Sequence, residues 1–415
     1  VVEVVSPYLR DVVSGVSDPA LRDTVRRFFR FVADDDLREI SPTRVIEHVR
    51  EFLEFAQVRP AGKALIRVLP PSRDAGAVVC VVTDDMPFLV DSVTNELTRE
   101  GRSIHRVVHP QFAVKRDGSG QLIEVLDLDV DEPAPVGTLA ESWMRIELLP
   151  DLIAPTESMT EHNLHRVLDD VRDSVEDWTA MSGQALSIAA DLSVAPPAGI
   201  DPIDVSEAAD LMRWLTEGHF TFLGYREYSL VSWAGEDVLE PVAGSGLGIL
   251  RIDPESDSPS ASASFAAMPP AVRAKAREPH LLVLTKANSR STVHRPAYLD
   301  YVGVKTFDAA GKVTGERRFL GLFASRRSWI HSNSCRVRTL PRISRRSWRP
   351  IREMSSSRRI RGSCSRLPDL CFTFKSAGKP RSTCGPMTTA ASSQPWSTFR
   401  ETVTTARPAS ASRTS

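Results

Sequence analysis

The chain has 415 residues, 41% of them hydrophobic, and a formal net charge of −1. That length suits two or three domains, and the lack of any apolar run near the roughly 18–20 residues a bilayer requires excludes a membrane-spanning helix. Near-neutrality hides a division: residues 1–325 carry 33 basic and 50 acidic side chains, residues 326–415 carry 19 and 3.

In chain order, residues 1–60 read as short helices. "DPALRDTVRRFFRFV" (18–32) sets Leu21, Val25, Phe28, Phe29 and Val32 at helical spacing, and "SPTRVIEHVREFLEFA" (41–56) opens with a Ser41 cap and Pro42 in the first turn. From 63 the period changes. "KALIRVLPPS" is a strand pattern, and "AGAVVCVVTDD" (75–85) is a continuous apolar run suited to a buried central strand. "PFLVDSVTNELTREG" (87–101) places Leu89, Val90, Val93 and Leu97 on one helical stripe, with Pro87 at its start and Gly101 as its stop. Two strands around the turn "RDGSG" account for 102–130, "WMRIELL" (143–149) is a further strand, and 160–181 is one long helix.

"SVAPPAGIDP" (193–202) reads as a linker. Beyond it come a helix over 205–219, an alternating strand over 220–231, a flexible loop at "SDSPSASAS" (256–264), and at least three more strands between 280 and 324, with a turn at "DAAGK". The expected class is α+β. Residues 326–415, with 17 Arg, 2 Lys and 18 Ser, show neither period and are expected to be disordered. Four of the five cysteines lie there. Cys80 alone sits in an apolar run, which predicts a reducing, cytoplasmic setting.

Four long motifs in the first part carry a family resemblance: "VTDDMPFLVDSVTNEL" (82–97), "GRSIHRVVHPQFAVKRD" (101–117), "HFTFLGYREYSL" (219–230) and "VKTFDAAGKVTGERRFLGLFAS" (304–325). Together they resemble the amino-terminal region of the large NAD-specific glutamate dehydrogenases. The resemblance implies an amino-terminal helical segment (1–60), an ACT-like, ferredoxin-like sandwich (61–190) and a PAS-like α+β module (203–325). It also implies that the catalytic residues and the NAD site lie in sequence this chain lacks, so no catalytic or cofactor-binding residue is assigned. The expected function is a regulatory or oligomerisation region, itself inactive; the alternative is a stand-alone module that senses an amino acid.

The tail at 326–415 does not match that family as written. Reading the codons allowed for 348–358 and 385–407 from the third base permits peptides that resemble stretches further along the family. A frameshift at or just after Ser325 is the expectation that follows, and the Arg-over-Lys excess fits a GC-rich template in the wrong frame.

The segment "TDDMPFLVDS" is where a strand meets a helix start, whose free N–H groups favour a carboxylate. Asp84, Asp85, Pro87, Phe88 and Asp91 are therefore the candidate effector-binding residues, with an amino acid as the ligand; plain capping by Asp84 or Asp85 is the alternative. ACT modules usually carry Gly after the motif proline, where Phe88 stands here. His105 and His109 fall in a strand context that spreads them by about 13 Å, so no metal site is expected. "GSGLG" (244–248) precedes a strand-like "ILRI" and reads as turn glycines rather than a dinucleotide loop. The basic tail would attract nucleic acid or anionic lipid nonspecifically. The expected partners are an amino-acid effector and a second copy of the chain, with no specific nucleic acid and no membrane.

Overall fold

Capping residues followed by proline punctuate the start of the chain. Helix α1 (Pro7–Ser14) begins where Ser6 accepts from the Leu9 N–H (3.1 Å), α2 (Pro19–Phe28) where Asp18 accepts from Ala20 (3.0 Å), and α4 (Pro42–Phe55) where Ser41 accepts from Arg44 (3.4 Å), with the short α3 (Asp34–Arg38) between them. Their apolar stripes meet in one cluster that includes Val25, Phe28, Val45, Val49 and Phe52. The computed structural model describes residues 6–71, 76–128, 130, 132–150, 156–233, 236–251 and 278–324. The expected loop at 256–264 and the tail at 326–415, with its reading-frame question, lie outside them.

The first sheet contains β1 (Leu65–Leu69), β2 (Val78–Asp84), β3 (Ile104–Val108), β4 (Gln111–Arg116), β5 (Leu122–Val125) and β6 (Thr138–Leu148), in the order β1-β2-β6-β4-β5, with β3 also on β6. All its pairings are antiparallel. Strands β3 and β4 run along the same edge of β6, interrupted at His109–Pro110, where proline has no N–H to donate. Strand β2 and the β3–β4 run are therefore parallel to each other across β6 and are joined by helix α5 (Leu89–Arg99). That is the split βαβ of a ferredoxin-like sandwich. The edge beside β2 is filled by β1, which precedes the unit in the chain.

Alternation along β2 and β6 divides the two faces. Cys80, Val82 and Trp143 face the amino-terminal helices, where Phe52 stacks on Trp143 (5.5 Å, 23°). Val79, Val81, Met144 and Ile146 face α5 and α6 (Glu157–Glu176).

The single helix expected over 160–181 is two. The chain bends at Asp177, whose carboxylate accepts from the Gly248 N–H (2.7 Å) and from Arg251, and α7 (Trp178–Val194) continues beyond it. Helices α7 and α8 (Pro202–Trp214) cover the second sheet: β7 (Phe220–Trp233), β8 (Glu236–Pro241), β9 (Leu247–Gly248), β10 (Leu282–Arg290), β11 (Tyr298–Phe307) and β12 (Val313–Phe323). Its order is β10-β11-β12-β7-β8, with β9 on β7. The strand expected at "ILRI" is instead a turn at Ile249 and Leu250; the pairing residues are Leu247 and Gly248. Met181, Ala185 and Ile188 of α7 share a core with Phe220, Phe222 and Tyr225, so the expected boundary at 190 falls inside a helix that packs on the second sheet. Val93, Leu97, Leu164 and Leu168 of helices α5 and α6 share one buried cluster with Val79, Val81 and Ile146 of the first sheet and with Leu223, Val293, Leu299 and Leu322 of the second module.

Candidate functional site

Phe88 is the N-cap of α5 and adopts φ 72°, ψ 0°, the left-handed conformation that glycine takes without cost. The chain thus keeps the backbone of a glycine turn while carrying a benzyl group, at a cost of about 1–2 kcal/mol. Its ring tilts against the imidazole of His294, 4.9 Å between centroids. His294 (φ 63°) is the other non-glycine residue with positive φ among those described.

The loop between β10 and β11 that carries His294 is fastened across the start of α5. The His294 N–H donates to Ser92 Oγ (2.9 Å), its ring Nδ1 meets Asp91 Oδ2 (2.9 Å), and Asn95 Nδ2 donates to its carbonyl (2.5 Å). Asp91 is 56% exposed at its side chain, and Pro87 is exposed. Neither Asp84 nor Asp85 caps the helix, which has no side-chain cap.

Asp84 belongs to a buried charge network instead. It lies directly opposite Glu141 in the β2–β6 register, a like-charge pairing that destabilises a sheet unless it is neutralised. Arg59 neutralises both, donating to Glu141 (2.8 Å) and Asp84 (2.6 Å). Arg116 forks onto both Glu141 oxygens (2.6 and 2.9 Å), Trp143 Nε1 donates to Glu141 (2.9 Å), and Arg172 reaches Asp84 from α6 (2.7 Å). Glu141 is fully buried. Burial acts to raise both carboxyl pKa values, but the arginine bonds outweigh it and hold both below the ordinary range. Gly120 locks this corner: its φ is 87°, its carbonyl accepts from Arg59 N–H and Arg116, and a side chain there would strike the Arg59 carbonyl.

Asp85 accepts from Ser142 Oγ (2.5 Å) and Gln111 Nε2 (3.0 Å), while His109 Nε2 lies 3.0 Å from Ser142 Oγ. These are the residue types of a hydrolytic triad in a different arrangement. The serine gives its proton to the carboxylate, so the imidazole is not placed to accept it. Burial keeps the His109 pKa low. His105 is exposed on β3 beside Glu39 (3.7 Å). Among the described residues no cluster of three His, Cys, Asp or Glu is arranged to hold a metal, and no helix is long and apolar enough to cross a membrane.

A second feature escaped sequence reasoning. A cavity of about 1030 Å³ lies between α4 and the helix-facing side of β1, β2, β6 and β3. Register explains its floor: Arg67 on β1 is opposite Cys80 on β2, which is opposite Arg145 on β6. In the next row Val78 is opposite Glu147, and Glu147 opposite Arg106. Arg106 and Arg145 are both buried and share Glu147 (3.0 and 3.3 Å). His48 of α4 lines the same space; it is 6% exposed, and its Nδ1 has no hydrogen-bond partner among the described residues. Burial, reinforced by Arg145, Arg44 and Arg106, lowers its pKa to about 3. Burial raises the Cys80 thiol to about 11.

Similarity to known proteins follows the same division of the chain. Residues 24–161, the amino-terminal helices from α2 onward with the first sheet, match the family model "Glutamate dehydrogenase, ACT1 domain". The class defined by fold and motif together is therefore an ACT-type α+β region. The NAD-specific glutamate dehydrogenase of Halomonas elongata is 33% identical over 278 residues, covering 63% of this chain and 16% of the relative. That of Pseudomonas aeruginosa is 35% identical over 253 residues (59% and 15%), and that of Mycobacterium tuberculosis 28% identical over 312 residues (74% and 17%). The matched part of this chain is similar to NAD-specific glutamate dehydrogenases, and the chain spans about a sixth of the length of these relatives.

Proposed function

We propose that this chain is the regulatory amino-terminal region of an NAD-dependent glutamate dehydrogenase. The whole enzyme would convert L-glutamate, NAD and water to 2-oxoglutarate, ammonia and NADH in the cytoplasm, with its catalytic residues and NAD site in sequence outside this chain. The observation that carries the reading is the match of residues 24–161 to the ACT1 domain, which coincides with the split βαβ unit built on β2, α5 and the β3–β4 run, with β6 between them. The second module takes the PAS-like role. The β2–α5 turn, where an amino-acid effector is the expected ligand, is also where His294 of the second module meets Phe88, Asp91 and Ser92. In this reading regulation passes through that joint, and self-association belongs to the assembled enzyme.

Pure full-length chain supplied with glutamate and NAD should show no rise in NADH absorbance; measurable turnover would overturn the placement of the chemistry. Deleting the matching segment from the Pseudomonas aeruginosa enzyme should alter its response to amino acids while sparing hydride transfer. Loss of glutamate and NAD binding on that deletion would contradict a regulatory role.

A further inference from the structure

The cavity beneath α4 combines three features that the folded chain leaves unresolved. Two buried guanidiniums, Arg106 and Arg145, share one partly buried carboxylate, Glu147; the other acid on Arg106, Glu39, is exposed. His48, more than nine-tenths buried, has a ring nitrogen with no hydrogen-bond partner among the described residues. Orphaned buried polar atoms are rare because each costs the hydrogen bond it had in water. Phe52, Phe55, Leu69 and Val78 supply the apolar part of a lining that also carries Arg44, Arg67, Glu39, Glu51 and Glu54, and the volume is that of a small-molecule site.

We infer that this cavity is a receptor for a small monocarboxylic acid, with the carboxylate received by Arg145 and His48 and the hydrocarbon body against Phe52 and Phe55. Arg67, whose guanidinium lies over the Phe55 ring (4.8 Å), stands on the same sheet face two strands from Arg145 and adds a second positive charge toward the mouth. A monoanion is favoured over a dianion because Glu39, Glu51, Glu54 and Glu147 also line the space and repel excess negative charge. The apolar part of the lining favours an organic acid over a bare inorganic ion. This site is separate from the β2–α5 turn, and the inference concerns binding alone, so it does not depend on the regulatory reading.

The test is calorimetric titration of the full chain with acetate, butyrate, hexanoate and inorganic phosphate. Saturable binding that tightens from acetate to hexanoate is expected, with Arg145→Gln weakening hexanoate at least tenfold and Arg67→Ala several-fold. Alkylation of Cys80 by iodoacetamide, followed by peptide mass mapping, should slow several-fold under saturating hexanoate. This readout uses unaltered protein and serves if Arg145→Gln fails to fold. The inference is overturned by the absence of saturable binding across the series, by preference for phosphate over every carboxylate, or by carboxylate binding that leaves Cys80 alkylation unchanged.

Discussion

The β2–α5 turn and the cavity beneath α4 lie at separate places on the same sheet and treat polar groups in opposite ways. At the turn, Asp84 meets Arg59 and Arg172, Asp85 meets Ser142 and Gln111, and Asp91 meets His294, so every acidic group of the motif has a partner from its own chain. In the cavity, buried Arg145 shares Glu147 with Arg106, whose other acid is the exposed Glu39, and buried His48 has a nitrogen without a partner among the described residues. Matched groups make a joint that resists change. Unmatched groups lower the stability of the empty state and leave something for a ligand to recover.

Removing a matched group should therefore be the most damaging change. Glu141→Ala strands Arg59 and Arg116 in the interior, and a loss of about 3–5 kcal/mol is expected in urea unfolding. The sign of the pH effect follows from the depressed carboxyl pKa values of Asp84 and Glu141. Their stabilisation is complete above the unfolded values of about 4 and is lost as pH falls through the lower folded values. A Glu141→Ala protein as stable as the parent would show that the network is incidental.

The cavity should behave in the reverse sense. The folded pKa of His48 is lowered to about 3, so the folded state binds fewer protons than the unfolded state below about pH 6.5. Stability is fully present above that value and falls toward pH 3. His48→Leu should flatten the fall, gaining about 2–3 kcal/mol over the parent at pH 4.5 while changing little at pH 8. A thermal melt series across that range reads the difference directly. Parallel curves would mean that His48 is not held neutral by its surroundings.

Much of this architecture was legible in the chain. Period-two alternation and the apolar run around Cys80 located the central strand, and Ser41 with Pro42 located α4. Helix α7 was missed beyond 181 because its buried stripe leans on Ala185 and Ala189, which contrast little with the exposed serines and alanines around them. The start of β6 was hidden by Glu141, a buried carboxylate that hydropathy reads as surface. The motif residues from Asp84 to Asp91 divide between the Arg59 network, which takes Asp84, and the turn that His294 covers, which takes Phe88 and Asp91. Their partners His294 and Arg59 lie far away in sequence, and no local spacing could reveal them. The cavity was invisible for the same reason, since Arg67, Cys80 and Arg145 come from three strands joined by sheet register and His48 from the helix packed over them.

Smaller changes sharpen the account of the joint itself. Phe88→Ala removes the ring from His294 but keeps a side chain in the left-handed region; Phe88→Gly removes both the ring and the strain. The glycine variant should be the more stable of the two by about 1 kcal/mol, after allowing for its greater unfolded entropy.

The least effect is expected from Asp91→Asn. The Asp91 carboxylate is more than half exposed, so its contact with the His294 ring is screened by water, and such pairs contribute about 0–1 kcal/mol. The asparagine can still offer an oxygen to Nδ1 of His294, while Ser92, Asn95 and the Phe88 ring continue to hold the loop. Melting temperature should therefore move by only a degree or two. Amide exchange at residues 292–296 should stay within a few-fold of the parent. Marked deprotection of that loop in Asp91→Asn would mean that the joint depends on this one ion pair rather than on the hydrogen bonds and ring contact around it.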